Sequence, residues 1–420
     1  MIKTLFSRAK VLARYEQSPL QPHLGDLAAG LHEQGYSDNV VRAYLCAAEK
    51  FGRWLSIANV TTADVNEELI ARYLDEAVRP HPSCAAGRSD CHARTGLAHL
   101  VRVLRERQVI PPVTVTPPRT PAERWLIAFE QHLLQVAGAA LNTRKKYVAL
   151  ARRLVVNHFG DGPVDWGSLQ ADHVAAFVIR EAETKRGFGR KAAPVAIRAV
   201  LRFLVYSGDI RAGLEAAVPA MRNWKHAALP RHVSTDDVER VLNLFRDASP
   251  RSCRNRAILL LLARLGLRAN EIVQLRMEDI DWRGGRLFVR RAKNRTERVL
   301  PLSQEVGDVL AEYVMKARPR TGSPEVFLNY RPPYHPLAGP SAVSTMAKRA
   351  LLSIGFAPGP RIGAHTFRHT VASAMVSKGA TFKEVADVLG HQSLQTTGIY
   401  AKLDLQALAA VALPWIGGGR

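Results

Sequence analysis

Apolar positions recur at helical spacing through most of the first half of the chain. In GYSDNVVRAYLCAAEKFGRWL, which starts at Gly35, Tyr44 and Phe51 fall on one stripe with the apolar residues around them. In GAALNTRKKYVALARRLVVNHF, which starts at Gly138, Tyr147 and Leu154 do the same. Residues at i, i+3, i+4 and i+7 share one face of a helix, so both stretches predict amphipathic helices with basic outer faces. Each is followed by a second helical pattern, EELIARYLDEA and ADHVAAFVIREA, and then by a third. The third patterns are LAHLVRVLRERQVI, ending at Ile110, and AIRAVLRFLVYSGDI, ending at Ile210. The interval from glycine to tyrosine is nine residues in both copies, and the copies are offset by about 100 residues throughout. Two related helical domains are therefore expected.

The breaks between periodic segments set the domain boundaries. PPVTVTPPRTP, from Pro111 to Pro121, cannot be helical inside, because proline lacks the amide and clashes with the preceding turn. A second linker, around NWKHAALPRH, precedes a part of different pattern. The expected division is a helical domain over 1–110, a linker over 111–121, a helical domain over 122–218, a linker over 219–232 and a last domain over 233–420. In that last part DWRGGRLFVRRAKNRTERVLPL holds two β-rich runs, Leu287 to Val289 and Arg298 to Leu302, around a polar basic turn. Amphipathic helices follow. The fold class is thus mainly α, with an α+β last domain built around a small hairpin.

Composition narrows the partners. The 420 residues are 47% hydrophobic, enough for real cores, and carry a net charge of +22. So large an excess is usually matched by a polyanion, with nucleic acid the first candidate and anionic membrane the second. A spanning helix needs about 18 apolar residues, and the greasiest run, Ala257 to Ala263, stops at Arg264. The N-terminal MIKTLFSRAKVLARYEQ reads as a basic amphipathic arm and not as a secretory signal. Four cysteines without framework spacing fit a reducing cytoplasm. His81, Cys84, Cys91 and His92 lie close together and could hold a structural zinc. Their spacing matches no standard finger, so a plain basic loop is the preferred reading, with no metal and no other cofactor.

Near the end, LGHQSLQTTGIYAK presents Tyr400. A phenol with a pKa near 10 is a poor nucleophile unless a base and an electropositive pocket activate it. Five basic groups are candidates for that pocket. Arg268 sits in ARLGLRANEIVQL, between a helix that Gly266 should stop and one that Asn270 could cap, with Glu271 placed to steady it. Lys293 lies on the hairpin turn. His365 and Arg368 are three residues apart on one helix and so share a face. His391 follows Leu389-Gly390 at the end of TFKEVADVLGH. Taken singly, Arg268 is as readily a salt-bridge partner, Lys293 a solvated charge and each histidine a structural residue.

Taken together, R…K…HxxR…GH…Y in this order resembles the catalytic domain of the tyrosine recombinases, the phage-integrase superfamily. GLRANEI is similar to its G-L-R-x-S-E-[LI] box, with Asn270 in place of serine. AKNRTERVLPL resembles its K-x-x-K-x-R-x-[VI]-P-L hairpin, with Thr296 where a second basic residue is common. HTFRHTVAS and LGHQSLQTTGIY resemble the two remaining boxes, including nine positions from His391 to Tyr400. The likeness spans about Val233 to Ala410 and is weaker before it. There Asn142-Thr143 and Tyr147 look like part of a core-binding domain, so Thr143, Arg144, Lys145 and Tyr147 become candidate DNA contacts.

The resemblance implies a site-specific DNA recombinase working through a 3′-phosphotyrosine and a Holliday junction, without metal or ATP, on a mobile element. Tyr400 would be the nucleophile. Arg268 and Arg368 would grip the phosphate, with Glu271 in support. His365 would take the tyrosine proton, Lys293 would protonate the leaving 5′ oxygen, and His391 would donate to the phosphate. The implied partners are specific double-stranded sites and a homotetramer on DNA, with accessory or sister recombinases and no membrane. The setting is prokaryotic cytoplasm, at the nucleoid in action. The apolar run from Leu405 to Leu413 would dock on a neighbouring protomer, or else on its own domain. Two rivals stay open: a type IB topoisomerase-like relaxing enzyme, and a non-catalytic DNA-binding protein of the same fold.

Overall fold

The computed structural model describes residues 2–77, 88–112, 120–160, 162–184, 192–220, 232–290, 297–359 and 362–390. By backbone contacts the chain falls into two compact units, residues 1–112 with 228–420, and residues 113–227.

The N-terminal part opens with two short helices, α1 (Ile2–Leu5) and α2 (Ala9–Glu16), followed by α3 (Gln21–Glu33) and α4 (Asp38–Ile57). A 3-10 turn (Thr62–Asp64), α5 (Glu67–Ala77) and α6 (Arg88–Glu106) complete it. Helix α3 packs on α4 and α6, α4 on α6, and α5 on α6. Their apolar stripes meet in a core that buries Leu31, Tyr44, Ala48, Phe51 and Leu104.

The second unit repeats the order from α3 to α6. It runs α7 (Pro121–Gln135), α8 (Leu141–Phe159), a 3-10 turn (Trp166–Ser168), α9 (Ala171–Glu183) and α10 (Ala192–Ser207). The same neighbours pack: α7 on α8 and α10, α8 on α10, and α9 on α10. Thr120 caps α7 by accepting from the Glu123 amide at 3.1 Å, while the Glu123 carboxylate takes the Thr120 amide. The core gathers Phe129, Ala151, Leu154, Phe177 and Leu204. The sequence repeat is thus matched element by element inside each bundle.

The C-terminal part mixes helices with a small sheet. Helix α11 (Thr235–Asn243) leads to α12 (Pro250–Leu265) and the short α13 (Ala269–Val273). Strands β1 (Ile280–Asp281), β2 (Arg286–Val289) and β3 (Arg298–Pro301) pair antiparallel in that order, with Leu287 facing Ile280 on one side and Leu300 on the other. The two longer strands coincide with the β-rich runs read from the sequence; β1, with only two residues, is too short to show a pattern. Helices α14 (Gln304–Glu312), α15 (Pro340–Ser353), α16 (Ala364–Ser377) and α17 (Phe382–Leu389) follow. Helix α12 is apolar on nearly all sides because it is the axis of this core: Leu259, Leu260, Leu261 and Leu262 are all buried. It packs against α14 and α16. A smaller cluster of Ala372, Val376, Val385 and Leu389 joins α16 to α17.

Candidate active site

The site begins where α12 stops. Gly266 takes the left-handed conformation at φ +60° and closes the helix, as the sequence predicted. It also needs to be glycine for lack of space, since a Cβ there would lie 2.7 Å from Leu389 Cδ2. The α12 corner is thereby seated directly on the end of α17.

Arg268 follows two residues later as the N-cap of α13. The sequence pointed to Asn270 as the capping residue; instead Asn270 lies inside α13, where its side chain bonds Gln274. The cap is supplied by Glu271, whose Oε2 accepts the Arg268 amide at 2.8 Å. Its Oε1 accepts from Arg268 Nη1, also at 2.8 Å. Backbone and side chain of Arg268 are therefore held by one buried carboxylate. Its Nη2 donates to the Gly390 carbonyl at 3.0 Å.

Arg368 arrives from α16, whose first turn is closed by the Gly363 amide donating to Thr366 Oγ1 at 3.2 Å. The Arg368 side chain is fully buried. Its Nη1 donates to the Gly266 carbonyl at 2.6 Å and its Nη2 to the Leu389 carbonyl. His365, one turn earlier, is exposed, and its ring meets that of His369 edge-on at 4.5 Å. Three residues on a helix place two side chains about 60° apart, and here the edge of the core passes between them. The shared face of the sequence reading is therefore a boundary, with the arginine inside and the histidine at the surface.

A third guanidinium, which fills the arginine position of the hairpin box, was given no role from the sequence. Arg298 on β3 donates through Nη2 to Glu271 Oε2 at 2.8 Å and through Nη1 to Oε1 at 3.2 Å. Its Nη1 also reaches the Leu389 carbonyl at 3.0 Å. One signal could have found it. Alternate residues of a strand face the same side, so Arg298 points the way Leu300 does, which is 4% exposed, while Val299 between them is 51% exposed. An inward arginine needs an anion, and Glu271 is that anion.

Burial pushes the Glu271 carboxyl up, but the charge of Arg298, the Arg268 amide and the Arg268 charge outweigh it and hold it below the ordinary carboxylate range. A carboxyl depressed by folding stabilises the fold above its unfolded pKa of about 4.3, and that contribution is lost as pH falls through the lower folded value. Glu271→Gln should cost about 2 kcal/mol at pH 7, with the gap to wild type narrowing below about pH 4. Denaturant melts across that range are the check; a gap unchanged down to pH 3 would show that the charge is immaterial.

Lys293, His391 and Tyr400 lie outside the described residues, as does the tail from Leu405 to Trp415. So do His81 and Cys84 and the side chain of Cys91; His92 is exposed, its ring 5.8 Å from that of Tyr44. Among the described residues no three metal-ligating side chains cluster, and no helix is long and apolar enough to cross a membrane. Thr143, Arg144, Lys145 and Tyr147 all sit in the first two turns of α8. Lys145 is exposed, Thr143 and Arg144 are half-buried, and Tyr147 leans on the core of its own bundle.

On this mainly helical fold Glu271 thus joins Arg268 to Arg298, and Arg268, Arg298 and Arg368 all donate to carbonyls of the Leu389–Gly390 turn. The profile of the Phage integrase family matches residues 231–406. A putative integrase/recombinase of Sinorhizobium fredii, y4rA, is 36% identical over 408 residues, covering 97% of each chain. Tyrosine recombinase XerC of Lactobacillus delbrueckii subsp. bulgaricus is 32% identical over 220 residues, 50% of this chain and 71% of that one. The solved structure of the XerH site-specific recombinase bound to a palindromic difH substrate shares the fold, with TM-score 0.54 and 17% identity over 82% of this chain and 94% of that one. The chain belongs to the phage integrase family. It is a tyrosine recombinase, an enzyme of site-specific DNA recombination.

Proposed function

We propose that the protein cuts and rejoins duplex DNA at the ends of a mobile element, with Tyr400 as the nucleophile. The single observation that carries this reading is the convergence of Arg268 and Arg368 on the Leu389–Gly390 turn, directly before His391, which itself lies nine residues ahead of Tyr400 in sequence. A phosphodiester under attack gains negative charge on its non-bridging oxygens. Two planar guanidiniums can each meet such oxygens with paired hydrogen bonds, which supply about 3 kcal/mol apiece in a preorganised site.

In the steps that follow, His365 takes the phenol proton as Tyr400 attacks phosphorus. The P–O bond to the 5′ oxygen breaks, and Lys293 delivers a proton to that oxygen. His391 donates to a non-bridging oxygen. The products are a 3′-phosphotyrosine and a 5′-hydroxyl strand. Attack by a second 5′-hydroxyl reverses the chemistry on the new partner, and the ester conserves the bond energy.

The net charge of +22 supports a DNA partner. Residues 122–218 serve as the core-binding domain and residues 1–110 as an added helical arm, ahead of a catalytic domain over 233–420. Aligned on Tyr147 and Tyr44, the repeats differ in a telling place: α8 carries Arg144, Lys145 and Lys146 where α4 carries Val41, Arg42 and Ala43. That assigns the stronger phosphate grip to the second bundle, through Thr143, Arg144 and Lys145, with Tyr147 holding the helix in place. Strand exchange calls for two duplexes and so for a homotetramer on DNA, with the tail from Leu405 exchanged between protomers and accessory or sister recombinases able to join. A bacterial relative at nearly full coverage supports a prokaryotic, cytoplasmic setting.

The test is a nicked duplex bearing a site first selected from random sequence by the protein itself. Wild-type protein should form a denaturant-stable 3′-phosphotyrosyl adduct on the strand 5′ of the nick as the short 5′-hydroxyl fragment is lost, without metal or nucleotide. Relaxation of any supercoiled plasmid at comparable rates would favour a topoisomerase-like enzyme, and no adduct on any selected site would leave a DNA-binding protein only.

A further inference from the structure

We infer that Arg298 is a positioning residue of the recombination reaction, holding the Arg268 guanidinium in register with the Leu389–Gly390 turn; the inference rests on the assignment of Arg268 as a phosphate-gripping residue. Four hydrogen bonds make the case around one carboxylate. Glu271 Oε1 accepts from Nη1 of Arg268 at 2.8 Å and from Nη1 of Arg298 at 3.2 Å. Glu271 Oε2 accepts from the Arg268 amide and from Nη2 of Arg298, both at 2.8 Å. The turn closes the circuit. Arg268 donates to the Gly390 carbonyl and Arg298 to the Leu389 carbonyl, each at 3.0 Å. Both faces of that turn are thus tied to the same carboxylate through two different arginines.

The charge count gives this ring its purpose. A lone Glu271–Arg268 pair would be neutral, and the carboxylate would compete with a phosphate for the guanidinium. With Arg298 sharing the carboxylate, two cations meet one anion, and a net positive charge is left to face the DNA. The Arg298 side chain is only 11% exposed, so its half of the bargain is little screened by water. The same geometry fixes direction. Arg268 cannot rotate about its last torsions without breaking bonds to both Glu271 and Gly390, and the carboxylate cannot turn while Arg298 spans its two oxygens. A lysine at 298 would keep the charge but lose the fork, since one ammonium cannot bridge both oxygens and the Leu389 carbonyl in that geometry.

The experiment uses full-length protein and the nicked duplex described above, with adduct formation followed in a single turnover. Arg298→Met should slow the adduct step about 10²-fold while the dissociation constant for DNA changes by less than about threefold. Arg298→Lys, which keeps the buried charge balanced and guards against loss of folding, should still be slowed about tenfold. In an Arg268→Lys background the Arg298→Met change should add almost nothing, because its effect passes through Arg268; a purely structural role would lower both backgrounds by the same factor. A duplex with sulfur replacing the bridging 5′ oxygen, whose leaving thiolate needs no proton, should leave the Arg298→Met defect in place. Rescue by sulfur would overturn the inference by placing the residue with the general acid. Wild-type rates in Arg298→Met would overturn it alone, whereas failure of the wild-type protein to form any adduct would overturn the reading of the active site and this inference with it.

Discussion

Tyr400→Phe should abolish the covalent protein–DNA adduct while changing the affinity for DNA by less than about twofold. The substitution removes one oxygen atom and nothing else. A phenyl ring offers no lone pair to phosphorus, and no neighbouring hydroxyl can stand in without the same alignment, so the loss should exceed about 10⁴-fold in the adduct step. Binding should survive because DNA affinity comes from many phosphate contacts spread over a strongly basic chain. Gel retardation and denaturing electrophoresis on one selected duplex give both numbers. An adduct persisting in Tyr400→Phe would move the nucleophile elsewhere and dissolve the assignment.

The second large effect belongs to Arg368, and it should show in stability as well as in rate. The side chain is 2% exposed and donates to two backbone carbonyls, Gly266 and Leu389, that close α12 and α17. Arg368→Ala leaves both acceptors buried without that donor and opens a cavity the size of the side chain. A cost of about 2–4 kcal/mol is expected. The adduct step should fall by at least about 10³-fold, since a preorganised donor to the developing phosphorane is gone. Arg368→Lys separates the two losses: it keeps a cation, so the melting temperature should recover part of its fall, while the rate stays at least about 10²-fold down for want of paired donors. A stable and active Arg368→Ala protein would reduce this arginine to ordinary core.

Much of this site could be read from short stretches of sequence. Gly266 announced a helix stop and supplied one, because a residue without a Cβ is what a left-handed cap requires. The runs around residues 287–289 and 298–302 became the paired strands β2 and β3. Glu271 steadies Arg268, as three residues of helical separation allow. The two bundles repeat the same order of helices that the offset of apolar stripes foretold. Where the reading fell short, the reason was again local. Asn270 has the chemistry of a cap, but Arg268 holds that position, because the chain turns two residues earlier, just after Leu267 is seated in the core.

What the sequence determined by itself is everything set within a few residues: the helical stripes, the glycine stop, the hairpin and the order of the basic groups leading to Tyr400. What only the tertiary structure decided is which charges meet. Arg298 reaches Glu271 across 27 positions and Leu389 across 91, and Arg368 reaches Gly266 across 102. The energy of such a charge depends on how far it stands from its partner in space and how much water has been removed around both. Neither quantity has a period along the chain, so strand alternation can mark Arg298 as inward but does not tell that three arginines and one carboxylate lock a single turn.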